Sequence, residues 1–214
     1  MRLRKKKNLT PRMERCGDIW VKQPDTRRGQ WLQDRTETEL HLEIGSGRGR
    51  FTVETAASVP SALLVAIERE PNATIVAMER ARGMELGNIL FVDGDAAKLT
   101  EMFAPGEVAR IYLNFSDPWP ARRHEKRRLT SPGFLEMYRR ILTSDGEIHF
   151  KTDNRPLFDY SVRQFPACGY ALDEVTYDLH EQDIVGVMTD YEAKFHELGL
   201  PICRCVARLE AQHD

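Results

Sequence analysis

No stretch of this 214-residue chain stays apolar for the roughly 18 residues a bilayer-crossing helix needs, which excludes a membrane-spanning helix. The N-terminus, M-R-L-R-K-K-K-N-L-T, has the charge of a secretory leader but not its apolar core, so a cytoplasmic location is expected. Cysteine is scarce. Cys16, Cys168, Cys203 and Cys205 form no C-x-x-C pair, and no Cys/His cluster has zinc-ligand spacing. The six histidines show no metal pattern either, and no metal is expected. The thiols read as reduced, packed small hydrophobes, and on a strand Cys203 and Cys205 would share one face. Internal repeats and low-complexity tracts are also missing.

What is present suits one sizeable globular domain. With 41% hydrophobic and 30% charged residues, a chain of this length can bury a core without disulfides or metals. The formal net charge of −2 conceals a segregation. Segments 1–7 and 119–128 hold ten of the 31 basic residues and only Glu125 of the 33 acids, leaving 21 basic against 32 acidic residues elsewhere. An acidic body with two basic blocks predicts a localised polyanion site rather than general affinity for nucleic acid.

Residues 1–38 are polar, punctuated by Pro11, Gly17, Pro24 and Gly29, and read as a basic, partly flexible arm with one short ordered piece around Ile19–Trp20. Regular patterning covers 39–214. Strand-like runs at 39–44, 62–67, 88–92, 109–115 and 146–151 alternate with helix-like runs, and β-like stretches at 170–179 and 202–209 follow a fifth helix. Five β-α units and a terminal β pair predict a doubly wound α/β domain with a seven-stranded, mostly parallel sheet. Ser131 is a candidate N-cap for the helix opened by Pro132.

In such a sheet, ligands bind beyond the carboxyl ends of the strands. The first of these ends carries Glu43, Gly45, Gly47 and Gly49, spaced G-x-G-x-G, and Arg50 stands where a dinucleotide fingerprint needs its third glycine. An acid beside the loop repels a phosphate and attracts an amine or sulfonium. Glu68 ends the second strand, where a carboxylate can accept from both hydroxyls of a ribose, and Asp95 follows the third, in reach of an adenine amino group. Three acids at successive strand ends, without a phosphate-binding lysine, describe a positively charged nucleoside. S-adenosylmethionine fits; NAD and ATP do not.

The fourth strand delivers N-F-S-D-P-W-P-A-R-R-H-E-K-R-R, residues 114–128, to the same edge. Asp117 falls where a transferable methyl would lie, prolines on both sides of Trp119 stiffen the loop, and Trp119 offers a face for a base. Arg122, Arg123, His124, Lys126, Arg127 and Arg128 follow, suited to the phosphates around a reactive nucleotide.

The order L-E-I-G-S-G-R-G, A-I-E, D-G-D-A, N-F-S-D-P-W-P-x-x-R-H-x-K-R-R-L, H-F-K-T-D-N and M-T-D-Y-E-x-K-F, spanning about residues 38–209, resembles the bacterial tRNA (guanine-N7-)-methyltransferase family. The resemblance implies a Rossmann-like class I methyltransferase fold with an antiparallel C-terminal strand, tRNA as partner and S-adenosylmethionine as cofactor. It implies cofactor contacts at Glu43, Glu68, Asp95 and Asp117, with Gly45 and Gly47 in the loop. Asp117 is the catalytic candidate. Substrate contacts would fall at Asp153, Thr189, Asp190, Tyr191 and Glu192, and RNA contacts on the 123–128 stretch, with Arg122 beside it. Many family members carry a substrate-binding lysine directly after D-P-W-P; here that position is Ala121, so either Arg122 supplies the contact or the enzyme does without it. A monomer or a homodimer would serve.

N7 of guanine has an in-plane lone pair that is free at neutral pH, so attack needs no general base, only alignment and electrostatics. Asp117 could stabilise the charge that reaches the ring or hold the guanine amino and imino hydrogens. Two other readings compete. S-D-P-W resembles the D-P-P-[YF] box of exocyclic-amine methyltransferases but lacks its second proline, and a non-catalytic RNA-binding domain of this fold would not need to keep Glu43, Glu68 and Asp95.

Overall fold

The computed structural model describes residues 7–210 except 182, 184 and 185. All of the first basic block but Lys7 thus lies outside the described residues. In chain order the elements are α1 (Leu9–Arg15), β1 (Trp20–Val21), β2 (Glu39–Ile44), α2 (Arg50–Ser58), β3 (Ala62–Glu68), α3 (Pro71–Gly83), β4 (Ile89–Asp93) and α4 (Leu99–Met102). There follow β5 (Val108–Asn114), α5 (Pro132–Ile141), β6 (Leu142–Thr152), α6 (Arg155–Ala167), β7 (Tyr170–Thr176), α7 (Asp190–Glu197) and β8 (Cys203–Leu209).

The strands form one sheet in the order β1-β4-β3-β2-β5-β6-β8-β7, with β8 antiparallel to both neighbours. It is the expected doubly wound sheet with one strand more, the two-residue β1 paired in parallel with β4 at the edge. From β2 the chain winds outward through β3 and β4, then returns to β5 on the other side of β2 and continues to β6. The gap beyond the ends of β2 and β5 is therefore the topological switch point, where open α/β sheets bind their ligands.

Period-two patterning explains the layers. Leu40, Leu42 and Ile44 of β2 join the core cluster beneath α5 and α6, together with Ile111, Leu113, Ile148 and Phe150. The other face packs Leu64, Ala66, Ile89 and Phe91 against α1, α2 and α3. Alternate residues of β2 point to that second face, and there they are polar: His41 and Glu43, both buried. Cys203 and Cys205 sit in the first cluster as packed thiols, as their spacing implied.

The N-terminal region holds more structure than its irregular sequence suggests. Met13, Cys16 and Ile19 pack on the α2–α3 side, and Trp31 is wholly buried. Trp31 Nε1 donates to the Met102 carbonyl at 2.9 Å while its ring stacks on Phe103 at 5.1 Å. Glu107 accepts from the backbone N–H groups of Gly29, Trp31 and Ala104. None of these contacts is periodic, so no local pattern announces them.

Among the described residues no helix is long and apolar enough to cross a membrane, and no group of His, Cys, Asp or Glu could hold a metal ion.

Candidate active site

A cavity of about 730 Å3 opens at the switch point, within the rough 300–1,000 Å3 range of small-molecule sites. Gly45, Glu68, Asp95, Asp117, Trp119 and Arg127 are among its lining residues. Four strand ends thus converge on one space, which is what the sequence motifs required.

The glycine loop shapes one wall. Gly45, Gly47 and Gly49 all have positive φ, at 81°, 55° and 73°, a region L side chains rarely enter. A Cβ on Gly45 or Gly47 would project into open space, whereas one on Gly49 would lie 2.4 Å from the Ala77 Cβ. The last glycine therefore lets α2 approach α3, and the first leaves room at the cavity. Glu68 braces the loop: Oε2 accepts from the Gly47 N–H and Oε1 from the Glu70 N–H, each at 2.9 Å. Each oxygen keeps a lone pair.

Asp95 caps the next short turn by accepting from the Ala97 N–H at 2.9 Å, and half of its side chain stays exposed. Glu43 is set differently. It does not line the cavity, being buried behind the floor, where Oε1 accepts from Asn114 Nδ2 at 3.1 Å and Oε2 accepts from the Thr52 hydroxyl. Burial holds its carboxyl above the usual range, against those hydrogen bonds and the charge of Lys151.

The loop after β5 is strained. Phe115 and Trp119 have φ of 52° and 41°, and non-glycine residues in this region cost energy that the surroundings must over-determine. Here the surroundings are identifiable. The Phe115 N–H donates to the Lys151 carbonyl at 2.9 Å, and the Arg128 guanidinium donates to the carbonyls of Pro118 and Trp119 at 3.1 and 3.2 Å. Asp117 lies exposed between the two strained residues.

The basic block is a 3-10 helix, Arg122–Arg127, with Ala121 exposed just before it. Arg122, Arg123, Lys126 and Arg127 are exposed; Lys126 and Arg127 reach the cavity. Arg127 also lies over the Trp119 ring at 4.9 Å, and His124 meets the same ring edge-on at 5.7 Å. Arg128 turns inward, its guanidinium 4.3 Å from the Tyr160 ring centroid. Sequence alone treats the six residues as one run; the fold uses Arg128 as a staple for the acid loop. Ser131 stands at the N-cap of α5, but its hydroxyl donates to the Lys126 carbonyl instead of capping the helix.

The expected substrate set sits beside the cavity rather than in its wall. Asp153 follows β6, and its Oδ2 accepts from the Tyr191 hydroxyl at 3.4 Å. The Tyr191 ring stacks on Phe195 at 4.6 Å and lies 5.2 Å from Phe115, which does line the cavity. Thr189 and Glu192 close a capping box on α7, Asp190 pairs with Arg80 at 3.2 Å, and Glu192 is fully buried. Sequence reasoning missed Phe115, Asn114 and Lys151. Lys151 did carry a signal, as the only lysine or arginine of β6, placed near its carboxyl end.

The chain matches the model of a family described as putative methyltransferase over residues 37–205. A tRNA (guanine-N(7)-)-methyltransferase of Geobacillus thermodenitrificans is 44% identical to it over 97% of both chains. One of Listeria monocytogenes is also 44% identical, over 100% of this chain and 99% of its own. The chain belongs to the tRNA (guanine-N7-)-methyltransferase family. The solved structures it resembles agree on the fold. The 16S rRNA methyltransferase KamB gives a TM-score of 0.64 at 16% identity, covering 82% of this chain and 90% of that one. A precorrin-6y C5,15-methyltransferase from Geobacter metallireducens gives 0.58 at 14% identity, covering 97% and 93%.

Proposed function

We propose that this protein transfers the methyl group of S-adenosylmethionine to N7 of a guanosine in the tRNA variable loop. The observation that carries the reading is the meeting of Asp117 and Trp119 with Glu68 and Asp95 around one cavity, bordered by Lys126 and Arg127. The curated names of the full-length relatives supply the substrate class.

The residues fit the cofactor. The cavity holds carboxylates where a nucleoside needs acceptors, the Gly45 and Gly47 positions leave open space, and the buried Ser46 hydroxyl has no partner among the described residues. When bound, S-adenosylmethionine supplies a methyl group made electrophilic by its sulfonium. Glu68 is assigned to the ribose hydroxyls through its remaining lone pairs, Asp95 to the adenine amino group, and Gly45 and Gly47 to the loop around the methionyl part. Glu43 serves from behind, holding Asn114 at the root of the Asp117 loop.

The guanine is placed between the acid loop and the Asp153–Tyr191 pair. Its N7 needs no deprotonation, so the protein's work is alignment and a carboxylate for the positive charge reaching the ring. That carboxylate is Asp117. Arg122, Arg123, Lys126 and Arg127 are assigned to tRNA phosphates; His124 packs on Trp119 at their centre, and Arg128 holds the loop. Thr189, Asp190 and Glu192 build the helix that presents Tyr191. The enzyme works in the cytoplasm, where tRNA is, as a monomer or homodimer.

The test is direct. Purified protein is incubated with unmodified tRNA transcript and methyl-labelled S-adenosylmethionine, and the digested nucleosides are read by mass spectrometry. Label in 7-methylguanosine at one variable-loop position is expected. Label in an exocyclic-amine nucleoside, or none, overturns the reading.

A further inference from the structure

Lys151 and Glu192 are charged and buried, yet neither lines the cavity. Lys151 Nζ donates to Glu192 Oε2 at 2.7 Å and to the Val187 carbonyl at 3.0 Å. His180 Nε2 meets the other oxygen of Glu192 at 3.0 Å. The two charged side chains are only 8% and 0% exposed. Replacing a buried ion pair by well-packed apolar residues is often neutral or even stabilising, so stability alone does not account for this one.

Its position does. Lys151 is the register partner of Asn114 across β5 and β6, and Asn114 donates to Glu43, which also accepts from Thr52. A row of buried polar groups therefore runs beneath the site, from α2 through three strand ends to α7. At its far end Tyr191, the neighbour of Glu192, reaches Asp153 and faces Phe115 on the cavity wall.

We propose that Lys151 and Glu192, with His180, are positioning residues that fix the depth and rotation of α7, so that Tyr191 and Asp153 hold one arrangement beside Asp117. The proposal rests on the methyltransferase reading above and gives Glu192 a role that needs no contact with RNA. A charge pair suits the task because it has one geometry, whereas an apolar contact of equal area tolerates sliding and rotation.

The test compares the wild type with the single variant Lys151→Met and the double variant Lys151→Met/Glu192→Met. Three quantities are read: the thermal midpoint, affinity for S-adenosylmethionine, and the single-turnover rate of 7-methylguanosine formation at saturating cofactor and tRNA. The double variant should regain the stability that the single variant loses and bind S-adenosylmethionine normally. Its rate should stay down by roughly tenfold to a hundredfold, the cost of a displaced contact near the chemistry. A double variant with both the midpoint and the rate of the wild type makes the pair a fold staple only and overturns the proposal. If the double variant gives no cooperative melt, Glu192→Gln replaces it, keeping the shape while removing the charge, and a wild-type rate there overturns the proposal equally. Absence of 7-methylguanosine in the wild-type arm overturns the functional reading itself, and the proposal with it.

Discussion

Glu68 and Glu192 are both acids delivered by sequence motifs, and both use their two carboxylate oxygens on nearby donors. Glu68 takes its donors from backbone N–H groups of the loops it touches and faces a cavity with lone pairs to spare. Glu192 takes them from the Thr189 N–H, His180 and Lys151, the last 41 residues away, and faces nothing outward. The same residue type thus lines a cavity on one side of the site and makes an internal tie on the other. What decides is how many of its hydrogen-bonding directions the fold leaves free.

The largest effect that would sharpen this contrast is on stability. Lys151→Met leaves Glu192 buried without its cation, and breaking a buried pair in that way costs about 3–5 kcal/mol. Denaturant unfolding should show a loss of this size; a loss near zero would mean that water reaches Glu192 and that the two sides differ less than described.

The next effect is on chemistry. Asp117→Asn keeps the shape of the exposed side chain and removes its charge, and removing a preorganised electrostatic group costs roughly a hundredfold in rate. Single-turnover measurement at saturating cofactor and tRNA should show that loss with tRNA affinity largely retained. Rescue by excess S-adenosylmethionine would instead move Asp117 to the cofactor side of the comparison.

Glu68→Ala should do the reverse of Lys151→Met. Calorimetry should show S-adenosylmethionine affinity reduced by roughly tenfold, the equivalent of one good hydrogen bond to a charged group, with a folded protein and a small change in melting temperature. Unchanged affinity would remove Glu68 from the ligand wall.

The smallest effect divides two adjacent arginines. Arg127→Ala should lower the salt slope of tRNA binding by about one, as expected for one lost phosphate contact. Arg128→Ala should leave that slope nearer to wild type but slow methyl transfer, because its guanidinium holds the Pro118 and Trp119 carbonyls. Equal slope changes for both would return Arg128 to the RNA-facing set.

These contrasts mark how far the sequence could be read. Strand β2 was legible to the residue, because alternation puts Leu40, Leu42 and Ile44 on one face and His41 and Glu43 on the other, and the pleat admits no other assignment. The convergence of Gly45, Glu68, Asp95 and Asp117 was legible too, since the parallel strands of a doubly wound sheet all end on the same edge. Each of these inferences runs along the chain, where spacing is geometry.

Side-chain direction and partnership were not legible. Glu43 and Glu68 stand at equivalent strand ends, yet one is turned behind the floor and the other faces the cavity. Arg127 and Arg128 are neighbours in a basic run, yet only one reaches the cavity while the other grips the loop. Trp31 lies in a segment without periodicity and is wholly buried, because Met102 and Phe103 come to it from 71 and 72 residues away. The sequence by itself determined the order of strands and helices from β2 onward, the sheet edge that carries the chemistry, and the residue types gathered there. Which of those residues face the cavity and which hold the frame was decided only by packing, since a buried polar group must be satisfied by whatever distant partner the fold brings within hydrogen-bond reach.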